Sequence, residues 1–304
     1  MMGAGVRSLS LKLSRVILCL AAGWLTSCNS LFYQPDHYLY VHPDRLNLPY
    51  QEYTVRPDGP GGPHLRAWLF KPPMKESKGL VLQFHGNGQN MSAHMMLAVW
   101  MTKYGYSVLT FDYRGYGVST GEPDRAGLVE DAKAMLRFTR AAEELSALPL
   151  IVMGQSLGGA VAIPALAQSG VRPDVVILDS TFSSYHDVAE NIMERSVLTW
   201  PFQWLSWILI SDDLSPVDCI AEVRPKRWLF IHGKQDPVVP GELMTGLYQK
   251  ATGPRDFWVV EQPGHTMAFY PQSPERKRLI TYLCRNFSSL YCPGGEIAKD
   301  HRVR

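Results

Sequence analysis

The stretch from Leu150 to Gly159 constrains this chain most: Leu150-Ile151-Val152-Met153-Gly154-Gln155-Ser156-Leu157-Gly158-Gly159. The apolar run Leu150 to Met153 reads as a short buried strand. Gly154 to Gly158 fits the pattern G-x-S-x-G, and Ala160 to Ala167 reads as a helix that stops before Gly170. Strand, tight turn and helix are the setting in which a turn strains a serine backbone and holds its hydroxyl clear of a sheet. Gly154 and Gly158 lack the side chains that would clash where strand and helix come close. The helix N-terminus behind Ser156 favours negative charge developing there. Ser156 is therefore a candidate nucleophile. The plainer alternative is a serine in an ordinary glycine-rich turn.

The rest of the chain places this stretch in an α/β fold. Strands are expected at Tyr50 to Val55 and Leu65 to Lys71, joined by the turn Asp58-Gly59-Pro60-Gly61-Gly62. Further strands are expected over 79–85, 107–113, 175–178, 228–231 and 257–260. Between them come a helix from about Ser92 to Tyr104, one capped by Asp124 and running to about Leu145, and one over 242–250. A closing helix spans 274–287, with Ser273 as cap and Pro274 at its first position. This alternation predicts a mostly parallel central sheet of about eight strands with helices on both faces. The two leading strands would form an antiparallel edge, and residues 182–222 a small helical cap inserted in the domain at 50–288. Function in such sheets sits at the carboxyl ends of the strands, where Asn87, Ser156, Asp236 and His265 fall.

Composition enters mainly by what it excludes. The 304 residues suffice for one large domain or two small ones. An apolar fraction of 46% with 19% charged residues suits a globular core. A net charge of +2 suggests no nucleic-acid partner. No protein partner is evident, and the cysteine spacings suggest no zinc site.

A serine hydroxyl needs an adjacent base, and the base an acid that sets its tautomer. Of the nine histidines, His265 alone lies in a loop after the last strand, in Gln262-Pro263-Gly264-His265. Asp236, in Gly233-Lys234-Gln235-Asp236-Pro237, is the favoured acid; Asp179, after the preceding strand, is its rival. The oxyanion donors are the backbone N–H of Leu157 and that of Asn87, with Gly88 as a second choice for the latter. This chemistry needs no metal or organic cofactor.

Taken together, these motifs resemble the α/β-hydrolase superfamily of serine hydrolases. The resemblance rests on His85-Gly86-Asn87-Gly88, Phe111 through Gly121, Gly154 through Gly158, and His232 through Pro240. It spans residues of about 45–288. The chain order Ser156, Asp236, His265 is the order such enzymes use. The resemblance implies the α/β-hydrolase fold and the triad, and an ester or thioester substrate before an amide or peptide. It leaves the substrate open, since its relatives include esterases, thioesterases, lysophospholipases and serine aminopeptidases. A non-catalytic binding protein on the same fold is the third reading. The resemblance also implies that Asp112 and Arg114 pair structurally along a wall of the site.

The N-terminus reads as a targeting segment. Arg7, Lys12 and Arg15 precede the apolar run Val16 to Leu25, which is short for a bilayer span. It ends in Leu25-Thr26-Ser27-Cys28, which resembles a bacterial lipobox. That resemblance implies a signal peptide at 1–27, a lipid on Cys28 as membrane attachment, and a tether at 28–49. Asn29 after the cysteine implies outer-membrane sorting and a periplasm-facing domain. In an oxidising periplasm Cys284 and Cys292 are placed to pair and tie the tail at 289–304 to the last helix; buried, reduced thiols are the alternative. Within the cap, Trp200, Trp204 and Trp207 share one helical face. They suggest either cap packing, or a pocket for an apolar acyl chain or a contact with the bilayer beside the lipid anchor.

Overall fold

The computed structural model describes residues 32–194, 211–261 and 264–287. Its strands are β1 Gln34–Pro35, β2 Tyr50–Val55, β3 Leu65–Phe70, β4 Leu80–Phe84 and β5 Gly88–Gln89. They continue as β6 Ser107–Phe111, β7 Leu150–Gln155, β8 Val175–Asp179, β9 Arg227–Gly233 and β10 Arg255–Val260. The longer helices are α1 Arg125–Ala141, α2 Leu157–Ser169, α3 Tyr185–Glu194, α4 Gly241–Lys250 and α5 Pro274–Asn286.

An 8-stranded sheet runs in the order β10-β9-β8-β7-β4-β6-β3-β2. From β10 to β6 every pair is parallel, and β3 and β2 add the antiparallel edge. Alternate side chains of each strand feed two cores, as a period of two requires. Leu80, Leu82, Phe84, Leu150 and Val152 face the layer that includes α1 and α2. Val81, Ile151, Met153 and Ile177 face the layer closed by α5. Both faces being covered, the central strands are apolar almost throughout, as parallel strands must be.

The helix expected over Ser92 to Tyr104 is broken. A short helix, Met91–His94, passes into 3-10 turns at Met95–Leu97 and Val99–Tyr104. Two carbonyls that would continue an α-helix are taken elsewhere: Met96 O accepts from Arg276 Nη2 at 3.2 Å, and Leu97 O from Trp100 Nε1 at 2.8 Å. Likewise α1 stops at Ala141, because Ala142 turns to an extended backbone (ψ 119°) before a separate short helix, Glu143–Ser146. The expected caps of α1 and α5 are present. Asp124 accepts from Gly127 N at 2.9 Å, and Ser273 from Glu275 N at 3.2 Å.

The turn between β7 and α2 packs directly on the end of β4. A Cβ at Gly158 would lie 2.0 Å from the carbonyl oxygen of Phe84, which is backbone and cannot step aside. One at Gly154 would lie 2.5 Å from Gly159 Cα. Gly158→Ala should therefore cost about 3 kcal/mol of stability in chemical denaturation, the upper end for overpacking. Gly246→Ala, in α4 with open space around it, should instead add about 0.5–1 kcal/mol by helix propensity. Equal, small effects at both positions would contradict this account of the turn.

Candidate active site

Because β4 and β6 to β10 are parallel, their carboxyl ends share one edge of the sheet, and the chemistry-bearing residues gather there. Ser156 follows β7 directly and caps α2 with φ 52° and ψ −119°. A non-glycine residue at positive φ carries strain of order 1–3 kcal/mol, held here by packing on both sides. Its N–H donates to Asp179 O at 2.9 Å, extending the β7·β8 ladder past the strand end. On the other flank, a Cβ built on Gly86 would sit 3.8 Å from Ser156 Cβ, so the loop after β4 passes beside the serine. Leu157 opens α2, and the first N–H groups of a helix have no intrahelical acceptor.

His265 and Asp236 meet across the loops after β10 and β9. His265 Nδ1 lies 2.8 Å from Asp236 Oδ2. The Asp236 side chain is 0% exposed, against 20% for His265. Its other oxygen accepts from the N–H groups of Val238 at 2.8 Å and Val239 at 3.0 Å. Burial alone would push this carboxyl up. The hydrogen bond and charge of His265, with the two backbone donors, outweigh it and hold Asp236 below its ordinary value.

Asp179 is a second acid in the same neighbourhood, with the opposite electrostatics. It is buried, and burial pushes it up to about 7, with Asp236 adding to the rise and His265 opposing it. One oxygen accepts weakly from Ser180 Oγ at 3.4 Å; the other is buried without a hydrogen bond. Ser180 Oγ in turn accepts the N–H of Thr266, at 3.2 Å. The residue after His265 is thus tied to the residue after Asp179. Among the described residues no cluster of His, Cys, Asp or Glu is arranged to hold a metal ion.

Comparison with known proteins identifies the fold family. The family described as Serine aminopeptidase, S33, matches residues 75–222. The uncharacterized protein YfhR of Escherichia coli K12 is 32% identical over 262 residues, covering 84% of this chain and 86% of its own. The alpha/beta hydrolase domain-containing protein WAV2 of Arabidopsis thaliana is 31% identical over 221 residues, covering 69% of this chain and 70% of its own. The chain belongs to the α/β-hydrolase superfamily. The fold also matches the Pyrococcus furiosus esterase Pf2001, with a TM-score of 0.68, 20% identity, and coverage of 84% of this chain and 98% of that one.

Within this hydrolase fold, Asn87 does more than the sequence suggested. Its Oδ1 accepts from Gln34 N at 3.1 Å and from Tyr116 Oη at 2.8 Å, and its Nδ2 donates to Phe32 O at 2.5 Å. The side chain thus clamps the N-terminal segment, whose β1 pairs in parallel with β5 immediately after Asn87. His94 Nε2 holds Gly88 O at 2.9 Å, and Tyr113 Oη donates to His85 O at 3.2 Å. Tyr113, Tyr116, His94 and Ser180 were not legible as supports. Two of them lie in the Phe111 to Gly121 motif, but only the fold shows which way they point.

Asp112 and Arg114 do not pair. Arg114 begins a turn, and its Nε and Nη2 donate to Asp131 Oδ1 at 3.0 and 2.7 Å. Asp131 is fully buried on α1 and needs a cationic partner. Asp112 instead accepts Met91 N at 2.7 Å and lies 3.5 Å from His85 Nε2. Burial pushes Asp112 up to about 7 and His85 down to about 3. Cys28, Cys292 and the tryptophans at 200, 204 and 207 lie outside the described residues.

Proposed function

We propose that the protein is a serine hydrolase that cleaves a carboxylic ester or thioester with an apolar acyl group, through an acyl-serine intermediate. The observation that carries this reading is the strained Ser156 on the same sheet edge as the His265–Asp236 pair. In this reading Ser156 Oγ attacks the acyl carbonyl carbon while its proton passes to His265 Nε2. Asp236 holds the Nδ1–H and stabilises the imidazolium. The tetrahedral oxyanion accepts from the backbone N–H groups of Leu157 and Asn87. As the carbonyl re-forms, the alcohol or thiol leaves with the proton from His265, and water repeats the sequence to free the acid.

An aminopeptidase would need a carboxylate for the substrate's amino terminus. Of the candidates Glu190, Glu194, Asp212 and Asp213, Asp212 is engaged by Ser184, Tyr185 and Ser215, and Asp213 by Ser211. That leaves Glu190 and Glu194 on α3 for that role and keeps the peptide reading second. Two measurements test the reading on the purified protein. A fluorophosphonate probe should label the wild type and not Ser156→Ala, and octanoyl p-nitrophenyl ester should be preferred to acetyl by about tenfold in kcat/KM, roughly the worth of a few buried methylenes. Equal labelling of both proteins refutes the nucleophile; preference for acetyl refutes the apolar acyl group.

The lipobox-like Leu25-Thr26-Ser27-Cys28 extends the proposal to place. The protein is held in the cell envelope by lipid on Cys28, facing the periplasm from the outer membrane. No helix among the described residues is long and apolar enough to cross a membrane. Cys28→Ser should release the protein from the membrane fraction or leave it as unprocessed precursor. Mass spectrometry of a mature N-terminus that begins elsewhere, without a lipid adduct, would refute it.

A further inference from the structure

Among the described residues, eight large apolar side chains are exposed. Met74 precedes β4 at the amino edge, and Val259 lies on the edge strand β10. The other six all sit in segments at the carboxyl edge: Tyr38, Leu39, Val118, Ile192, Val238 and Tyr270. Val118 follows β6, Ile192 lies on α3 after β8, Val238 follows Asp236, and Tyr270 follows His265. Tyr38 and Leu39 join them because the N-terminal segment is bound across this edge. Asn90 Nδ2 donates to Asp36 O at 2.9 Å and to Tyr38 O at 2.8 Å, and Gly117 N donates to Asp36 O at 2.9 Å. Tyr38 is 68% exposed and Val118 64%, so neither contributes to the core. Water-exposed apolar side chains scattered singly are ordinary; six in segments at one edge of the sheet, against one at the other edge, are an asymmetry that favours covering that edge.

The chain itself indicates what covers this rim. The N-terminal segment reaches Phe32, whose ring packs 5.3 Å from that of Tyr185 and 6.5 Å from that of Phe182, beside the loop of Asn87. Cys28 lies only four positions before Phe32, a reach of at most about 14 Å even fully extended. A lipid on Cys28 would therefore bring the bilayer surface against this edge of the sheet and no other.

We propose that the carboxyl-edge rim is a bilayer-docking surface, seating the mouth beside Ser156 on the membrane so that acyl substrates enter from the lipid phase. This rests on the anchor and hydrolase readings above. With the lipid on Cys28 supplying the anchor, even modest apolar burial is enough to orient the domain on the bilayer.

The test uses the full processed chain reconstituted in phosphatidylethanolamine/phosphatidylglycerol vesicles that carry a phospholipid with a diazirine near the headgroup end of its acyl chain. After irradiation, peptide mapping should find lipid adducts at Tyr38–Leu39, Val118, Ile192 or Tyr270, and none on the peptides holding Met74 or Val259. Adducts confined to the anchor peptide, adducts equal on both edges, or a chain that fails to float with the vesicles would each overturn the proposal. In parallel, Leu39→Asp/Val118→Asp should cut hydrolysis of a vesicle-embedded long-chain ester by about tenfold, and p-nitrophenyl butyrate hydrolysis less than about twofold. Equal losses on both esters, or on neither, would overturn the entry route. If the wild type cleaves neither ester, the hydrolase reading has failed and the adduct map still decides the docking surface.

Discussion

Ser156→Ala should reduce turnover of p-nitrophenyl butyrate by roughly 10⁶-fold, and His265→Ala should do the same. The two losses should not add. Without the base the hydroxyl is a poor nucleophile, and without the hydroxyl the base has no proton to take. The double variant should therefore be no slower than either single one. Neither change touches the core: Ser156 is held by its backbone bond to Asp179 O, and His265 lies in a partly exposed loop. Ser156→Ala should leave the melting temperature close to wild type, separating loss of chemistry from loss of fold. His265→Ala leaves the buried Asp236 carboxylate with its backbone donors alone and should lower the melting temperature at neutral pH. A His265→Ala protein within tenfold of wild-type kcat would remove His265 from the mechanism.

Asp236→Asn should lower kcat by about 10⁴-fold with little change in KM, the effect expected when an amide replaces the acid that sets the histidine tautomer. Asp179→Asn should behave differently, because the two carboxyls lie in opposite fields. In the unfolded chain Asp179 ionises near its ordinary value of 3.8, and in the folded protein at about 7. Between those values the native state keeps a proton that the unfolded state has released. Its contribution to stability is therefore intact below about pH 4 and is lost as pH rises toward 7. Asparagine is always neutral, so Asp179→Asn should raise the melting temperature at pH 8 and leave it unchanged at pH 3.5. Its kcat should stay within about tenfold of wild type, since the hydrogen bonds that tie Asp179 to the histidine loop run through Ser180 and Thr266 and not to the His265 ring. The assignment fails if Asp179→Asn loses decades of rate while Asp236→Asn keeps them.

What was legible in the sequence is what neighbours in the chain decide. The run Leu150 to Met153 had to be a doubly covered strand, because both of its alternating faces are apolar. Gly154 and Gly158 had to be glycines if a strand and a helix were to meet at Ser156, and the structure shows the backbone atoms a side chain would strike. The caps Asp124 and Ser273 act over three residues or fewer, and both are where spacing placed them. Local rules failed where a distant group competed. Nothing within 91–104 announces that Arg276 will take the Met96 carbonyl, a contact that closes across 180 residues. Nor does the Phe111 to Gly121 motif show that Arg114 will turn to a buried acid on α1.

The carboxyls at 179 and 236 mark the boundary most clearly. Each follows a strand, each strand ends at the same edge, and periodicity treats them alike. The motif favoured Asp236, and the tertiary structure shows which of the two meets His265. The loop after β9 folds back so that Val238 and Val239 donate to Asp236 and aim its free oxygen at His265. The chain after β8 buries Asp179 with one oxygen unpartnered. A buried carboxyl with two backbone donors and an imidazole is stable as an anion, and one with a single weak hydroxyl donor is not. The same holds for the N-terminal segment. Its sequence says only that it is rich in Tyr, Pro and His; its place across the mouth is fixed by the amide of Asn87, met 53 residues later.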